Sequence, residues 1–176
     1  MLEPFTQTDE AVVAAQLGRT PRGVLAVAYR CPCGKPAVLA TEPRLPDGSP
    51  FPTTYYLTCP RAVAAASRLE STGRMAELND RLGTDPDLAA RYRDAHEAYL
   101  ADRAAFGGEP VPEIARVSAG GMPDRVKCLH ALAAHALAAG PGVNPVGDEV
   151  VAELGEFWQP PCLPDFDPHQ DHQEAS

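Results

Sequence analysis

Short apolar runs bounded by turn residues fill the first third of the chain, and apolar residues at helical spacing follow, which separates strand from helix. Val24, Leu25, Val27 and Tyr29 predict a strand from Gly23 to Arg30, and Ala37 to Ala40 a second one. Cys31-Pro32-Cys33-Gly34-Lys35-Pro36 between them reads as a tight turn. After the turn signal Pro46-Asp47-Gly48-Ser49, Thr53 to Thr58 forms a third strand. A short helix capped by Thr8 and stopped at Gly18 precedes them all. Cys59-Pro60 then opens a helix that runs to about Thr72, with proline at a tolerated first-turn position. Another covers Arg74 to Leu82. A longer one starts at Thr84-Asp85-Pro86 and places Leu88, Tyr92, His96, Tyr99, Arg103 and Phe106 at helical spacing before Gly107-Gly108 ends it. Met122-Pro123-Asp124 begins a helix that closes near Gly140, and a last helix spans about Gly147 to Trp158. The expected fold is α+β: a small antiparallel sheet in the N-terminal third, packed on a mainly helical C-terminal two-thirds.

Composition refines this outline. A chain of 176 residues suits one domain with a real core, expected over residues 1–158. Residues 159–176 are rich in Pro, Asp and His and have little to bury, so a disordered tail is expected there. The net charge of −9 disfavours non-specific binding to nucleic acid or an anionic membrane surface. The N-terminus lacks an apolar signal region and no stretch approaches a membrane span, so a cytoplasmic location is expected. Five cysteines in such a chain fit thiols or metal ligands better than a disulfide framework.

Chemistry concentrates in Lys127-Cys128-Leu129-His130-Ala131-Leu132-Ala133-Ala134-His135. A thiol and two imidazoles are soft, titratable groups suited to metal binding or thiol chemistry. On a regular helix turning ~100° per residue, Cys128 and His130 point ~160° apart and do not share one ion. Cys128 and His135 share a face but stand ~10 Å apart along the axis. A metal site here therefore recruits from elsewhere, and His130 joins it if the helix starts late. Cys59 at a helix N-cap and His96 on the inner face of the long helix are the candidate recruits. Each has a plainer alternative: Cys59 as a cap, His96 as a core histidine beside Tyr92 and Tyr99, and Cys128 and His135 as packing. Cys31-Pro32-Cys33 is one residue short of a zinc knuckle and reads more simply as a hairpin turn. Gly120, Gly121, Arg125 and Lys127 add a second signal. A flexible glycine pair leading into a helix N-terminus with two cations suits a small anion, or else is a solvated loop.

Several segments together resemble the bacterial domain of unknown function 501 family. They are Thr53-Thr54-Tyr55-Tyr56-Leu57-Thr58-Cys59-Pro60, Ser67-Arg68-Leu69-Glu70, Val126-Lys127-Cys128-Leu129-His130 with Ala134-His135, and Asn144-Pro145-Val146-Gly147. The resemblance implies that Cys59, Cys128, His130, His135 and Asn144 are family positions. The chain departs from the family pattern at Leu132, where members often carry another histidine. The family has no established activity. Its gene neighbourhood implies a cell-division or polyphosphate-metabolism partner. Three functions are expected in turn. The first is a metal-binding protein holding zinc or iron through Cys128 with Cys59, His96, His130 or His135, in a structural, regulatory or hydrolytic role. The second is a thiol-dependent enzyme or redox sensor using Cys128 or Cys59. The third is a non-enzymatic module binding phosphate or polyphosphate, or associating with division proteins.

Overall fold

Thr6, not Thr8, opens the first helix, because Asp9 three residues on completes a capping box with it. Helix α1 (Gln7–Leu17) ends where Gly18 adopts a left-handed conformation. A computed structural model describes residues 2–166. Strands β1 (Val24–Arg30), β2 (Pro36–Thr41) and β3 (Tyr55–Leu57) follow and pair antiparallel in the order β1-β2-β3. Helices α2 (Pro60–Ser71), α3 (Arg74–Thr84), α4 (Pro86–Ala105), α5 (Leu129–Ala139) and α6 (Pro145–Leu154) complete the fold, with one short 3-10 turn at Pro112–Ile114. The protein is therefore α+β, with the sheet near its N-terminus and most helices after it.

The sheet is covered on both faces, which is why all six residues of β2 are buried. On one face Val13 of α1 meets Val27 and Leu39. On the other, Ala26, Ala28, Val38, Ala40, Tyr55 and Leu57 join the main core with α2, α4, α5 and α6. Helix α5 lies at its centre, in contact with α2, α6 and the sheet, and buries Leu129, Leu132, Ala133, Ala134, His135 and Ala136. Alanine lets the helix axes approach closely. Gly147 of α6 does the same, since any Cβ there would strike the Leu132 carbonyl.

Helix α5 starts seven residues later than its sequence predicts. Residues 122–128 are turn and extended backbone instead. The cause is tertiary. The Asn79 side chain of α3 donates to the Val126 carbonyl at 2.9 Å and accepts from the Val126 N–H at 2.8 Å. Both backbone groups of Val126 are thereby taken, and neither is left for a helix. Gly121, at φ +95°, folds the preceding loop back so that its carbonyl accepts from the Arg125 N–H. The last helix is corrected likewise: Asn144 caps it, and it ends at Leu154 rather than Trp158.

Beyond Trp158 the described residues carry neither helix nor strand, yet the chain stays on the core. The Arg61 guanidinium donates to the carbonyls of Phe157 and Gln159, both at 3.0 Å, and Cys162 packs against the main cluster. The rest of the expected tail, 167–176, lies outside the described residues. Among the described residues no helix is long and apolar enough to cross a membrane. Cys31 and Cys33 are joined as a disulfide across that hairpin turn, a pairing the expectation of free thiols did not include.

Candidate metal centre

The late start of α5 makes Cys128 its N-cap residue, with extended backbone, and His130 a first-turn residue. The ~160° separation expected on a regular helix no longer applies. Cys128 Sγ lies 3.9 Å from His130 Nδ1. Helix α2 adds a carboxylate: Glu70 Oε1 lies 3.1 Å from the same Nδ1 and accepts from the Leu129 N–H at 2.7 Å. One ligand atom from each of Glu70, Cys128 and His130 falls within 4.8 Å of the others. All three side chains are partly buried, Glu70 and His130 being 25% exposed.

Protons decide what this triangle can do. His130 Nε2 lies 3.2 Å from the Val63 carbonyl oxygen and 3.1 Å from Ser67 Oγ. A carbonyl only accepts, so Nε2 carries the proton and the neutral ring turns its Nδ1 lone pair toward Glu70 and Cys128. Lone pair against carboxylate is repulsive. Two species relieve it: a second proton on the ring, or a cation held between the three donors. The Cys128 sulfur, and then Glu70, push the His130 pKa up to about 9, against partial burial. In return His130, and the Ala131 N–H in the first turn of α5, hold the Cys128 thiol below its usual range. The first cause is thus His130, whereas Arg125 and Lys127 take no part in the shift.

The other expected ligands lie elsewhere. Cys59 is fully buried at the start of α2, where its thiol meets Cys162. His96 is buried with Nδ1 2.8 Å from Ser118 Oγ, the arrangement of a satisfied core histidine. His135 is fully buried between Tyr55, stacked at 5.8 Å, and Tyr99, edge-on at 5.0 Å. Burial alone pushes its pKa down to about 4. Asn144 donates through Nδ2 to His135 Nδ1 at 3.2 Å while its Oδ1 accepts from the Gly147 N–H at 2.9 Å. Asn144 therefore caps α6 and orients His135, and His135 Nε2 has no partner among the described residues.

Gly120, Gly121, Arg125 and Lys127 line an open cleft of about 510 Å³ together with Ser118, Thr53 and Cys128. No helix begins at this glycine pair, so the expected N-terminal anion geometry is absent from it. The cleft instead brings solvent and two cations to the edge of Cys128. Glu70 is the site residue that sequence reasoning missed as a ligand. Nothing local distinguishes it from other surface glutamates of a helix; only its inclusion in the Ser67-Arg68-Leu69-Glu70 segment pointed to it.

Among known families, the one described as Protein of unknown function (DUF501) matches residues 27–152. No curated protein and no solved structure matches the chain.

Proposed function

We propose that this chain, which belongs to the DUF501 family, is a metal-binding protein in which Glu70, Cys128 and His130 hold one divalent transition-metal ion, zinc or iron. The observation that carries this reading is the His130 Nδ1 lone pair, aimed at a carboxylate and a sulfur by the hydrogen bond from Nε2 to Val63. A backbone carbonyl behind the ring is how metal-ligating histidines are commonly oriented. With metal–ligand bonds of about 2.0–2.3 Å, neighbouring donors sit roughly 3–4 Å apart, in keeping with the separations at this site. The two anionic donors neutralise the ion. Three protein ligands leave a fourth position, and Cys128 borders the open cleft. That combination supports a hydrolytic role, with the metal polarising a water or an anionic substrate steered by Arg125 and Lys127. Full-length protein prepared anaerobically without chelator should carry one metal equivalent that both Cys128→Ala and Glu70→Gln remove. Metal content unchanged in both variants overturns the assignment.

A second reading is favoured by the Cys128–His130 pairing itself. In the metal-free chain a thiol held below its usual range by the adjacent His130, at the edge of a cleft, is an activated nucleophile. Alkylation kinetics separate the two: bound metal slows labelling of Cys128 strongly, whereas a resident nucleophile labels fast in the protein as purified.

A further inference from the structure

We infer that Cys31, Cys33, Cys59 and Cys162 form a second metal centre, a tetrathiolate site at one end of the sheet for zinc or another thiophilic divalent ion. It is separate from the Glu70–Cys128–His130 site and does not depend on it. Four of the five cysteines converge there from three distant parts of the chain. Cys31 and Cys33 flank the β1–β2 turn, where Gly34 N–H donates to the Cys31 carbonyl and the Cys31 N–H to the Lys35 carbonyl. Arg30 pairs with Pro36 across that hairpin, and Thr58 donates to the Ala37 carbonyl on the other side of β2. Cys59 follows Thr58 directly, so the turn and Cys59 flank the same end of β2. Cys162 arrives from the C-terminal segment, which Arg61 holds by two hydrogen bonds. Its sulfur accepts from Gln16 Nε2 at 3.6 Å, and the same Gln16 nitrogen donates to the Pro36 carbonyl at 2.8 Å. The Cys59 and Cys162 thiols are close enough to shift each other's ionisation, Cys59 upward and Cys162 downward. The four cysteines therefore all lie around the Lys35–Pro36 start of β2, with Cys31 and Cys59 buried and the other two partly so.

The surroundings are those of a thiolate cluster. The Arg61 and Ala62 N–H groups at the start of α2 favour the ionised form of Cys59 against its burial, and Gln16 supplies an N–H to Cys162. Lys35, one of the two lysines, acts electrostatically on Cys162. Such N–H and ammonium groups offset the charge of several sulfurs gathered on one ion. The four donors are all sulfur, a set that selects a soft ion. The Cys31–Cys33 bond must open first. A dithiol or phosphine reductant delivers two electrons and two protons to it, yielding two thiols as the reductant is oxidised. Four thiols then release four protons as one divalent ion binds four sulfurs. A zinc ion with bonds near 2.3 Å needs its four sulfurs roughly 3.8 Å apart.

The test uses the full chain, reduced under argon and titrated with cobalt(II), then zinc. The Cys128→Ala variant, which lacks the first site, should still bind one cobalt with intense sulfur-to-metal charge-transfer absorption, displaced by zinc. Cys33→Ser and Cys162→Ser in that background should each abolish or weaken the band at least tenfold. Because Cys59 is buried, its contribution is read instead without mutation, from peptide-resolved alkylation: zinc should protect Cys31, Cys33, Cys59 and Cys162 together. A reduced Cys128→Ala protein that shows no sulfur-to-cobalt band overturns the second centre, as does a band that survives loss of both Cys33 and Cys162. Loss of metal from Cys128→Ala at the first site leaves this result untouched, so the two assignments fail separately.

Discussion

His130 and His135 stand five residues apart on α5, yet their neighbours drive them in opposite directions. His135 is fully buried among tyrosine rings, with no charge near enough to repay its desolvation, and its pKa falls to about 4. His130 is partly buried too, but the Cys128 sulfur and the Glu70 carboxylate face it, and its pKa rises to about 9. Burial disfavours the charged form at both positions; what differs is whether an anion is there to reverse it. The histidine deepest in the core is thus a structural element, neutral and held by Asn144. The shallower one is poised to carry a proton or a metal. Depth in the fold and chemical competence run opposite along this helix.

Removing the anions at His130 has the largest expected effect. Glu70→Gln keeps an acceptor for the Leu129 N–H but not the charge, and Cys128→Ala removes the sulfur. Each should abolish the metal equivalent assigned to this site, measured by elemental analysis. Protonation at His135 comes next. Its folded pKa of about 4 lies below the ~6.5 of an unfolded histidine, so the unfolded chain takes up the proton first. The stability tied to neutral His135 is therefore present above pH ~6.5 and lost as pH falls through 4, up to about 3 kcal/mol. Denaturant unfolding from pH 7 to 4 should show that slope, and His135→Leu should flatten it. Above pH 7 the substitution should leave the pH dependence unchanged.

Asn79→Ala attacks the backbone that sets the two histidines apart. It strands two backbone groups of Val126 and should cost about 1–3 kcal/mol. Amides of residues 126–128 should lose hydrogen-exchange protection, and metal binding at Cys128 should weaken while the environment of His135 stays unchanged. The smallest change is Ser67→Ala. It removes one of two groups facing His130 Nε2, and with Val63 still accepting, metal affinity should drop by about tenfold or less. A drop as large as that of Glu70→Gln would show that Ser67, not Val63, orients the ring.

Much of the fold was legible from local patterns. Short apolar and aromatic runs bounded by turn residues located β1, β2 and β3. Proline and Asp85 marked the starts of α2 and α4, and glycines marked the stops, because these residues act on their own backbone. The site was legible only in its parts. Cys128 and His130 stood out by residue type, but an ideal helix set them on opposite borders. Glu70 stood out only as part of a family segment, since a glutamate on α2 carries no local mark of what α5 brings to it. Cys59, His96 and His135 were grouped with them by chemistry alone, and packing assigned each to a different neighbour.

What this sequence determined by itself is therefore the order and kind of its elements, and that thiols and imidazoles carry its chemistry. Those properties follow from short-range sterics and from periodic burial of apolar side chains. Where α5 begins, which histidine meets an acid, and which cysteines share a corner were decided only in the folded chain. Asn79 had to reach Val126 from 47 residues away, and Glu70 to reach His130 from 60. Hydrogen bonds and charges act over a few ångströms, so they have no counterpart in the linear pattern until the core has brought those segments together.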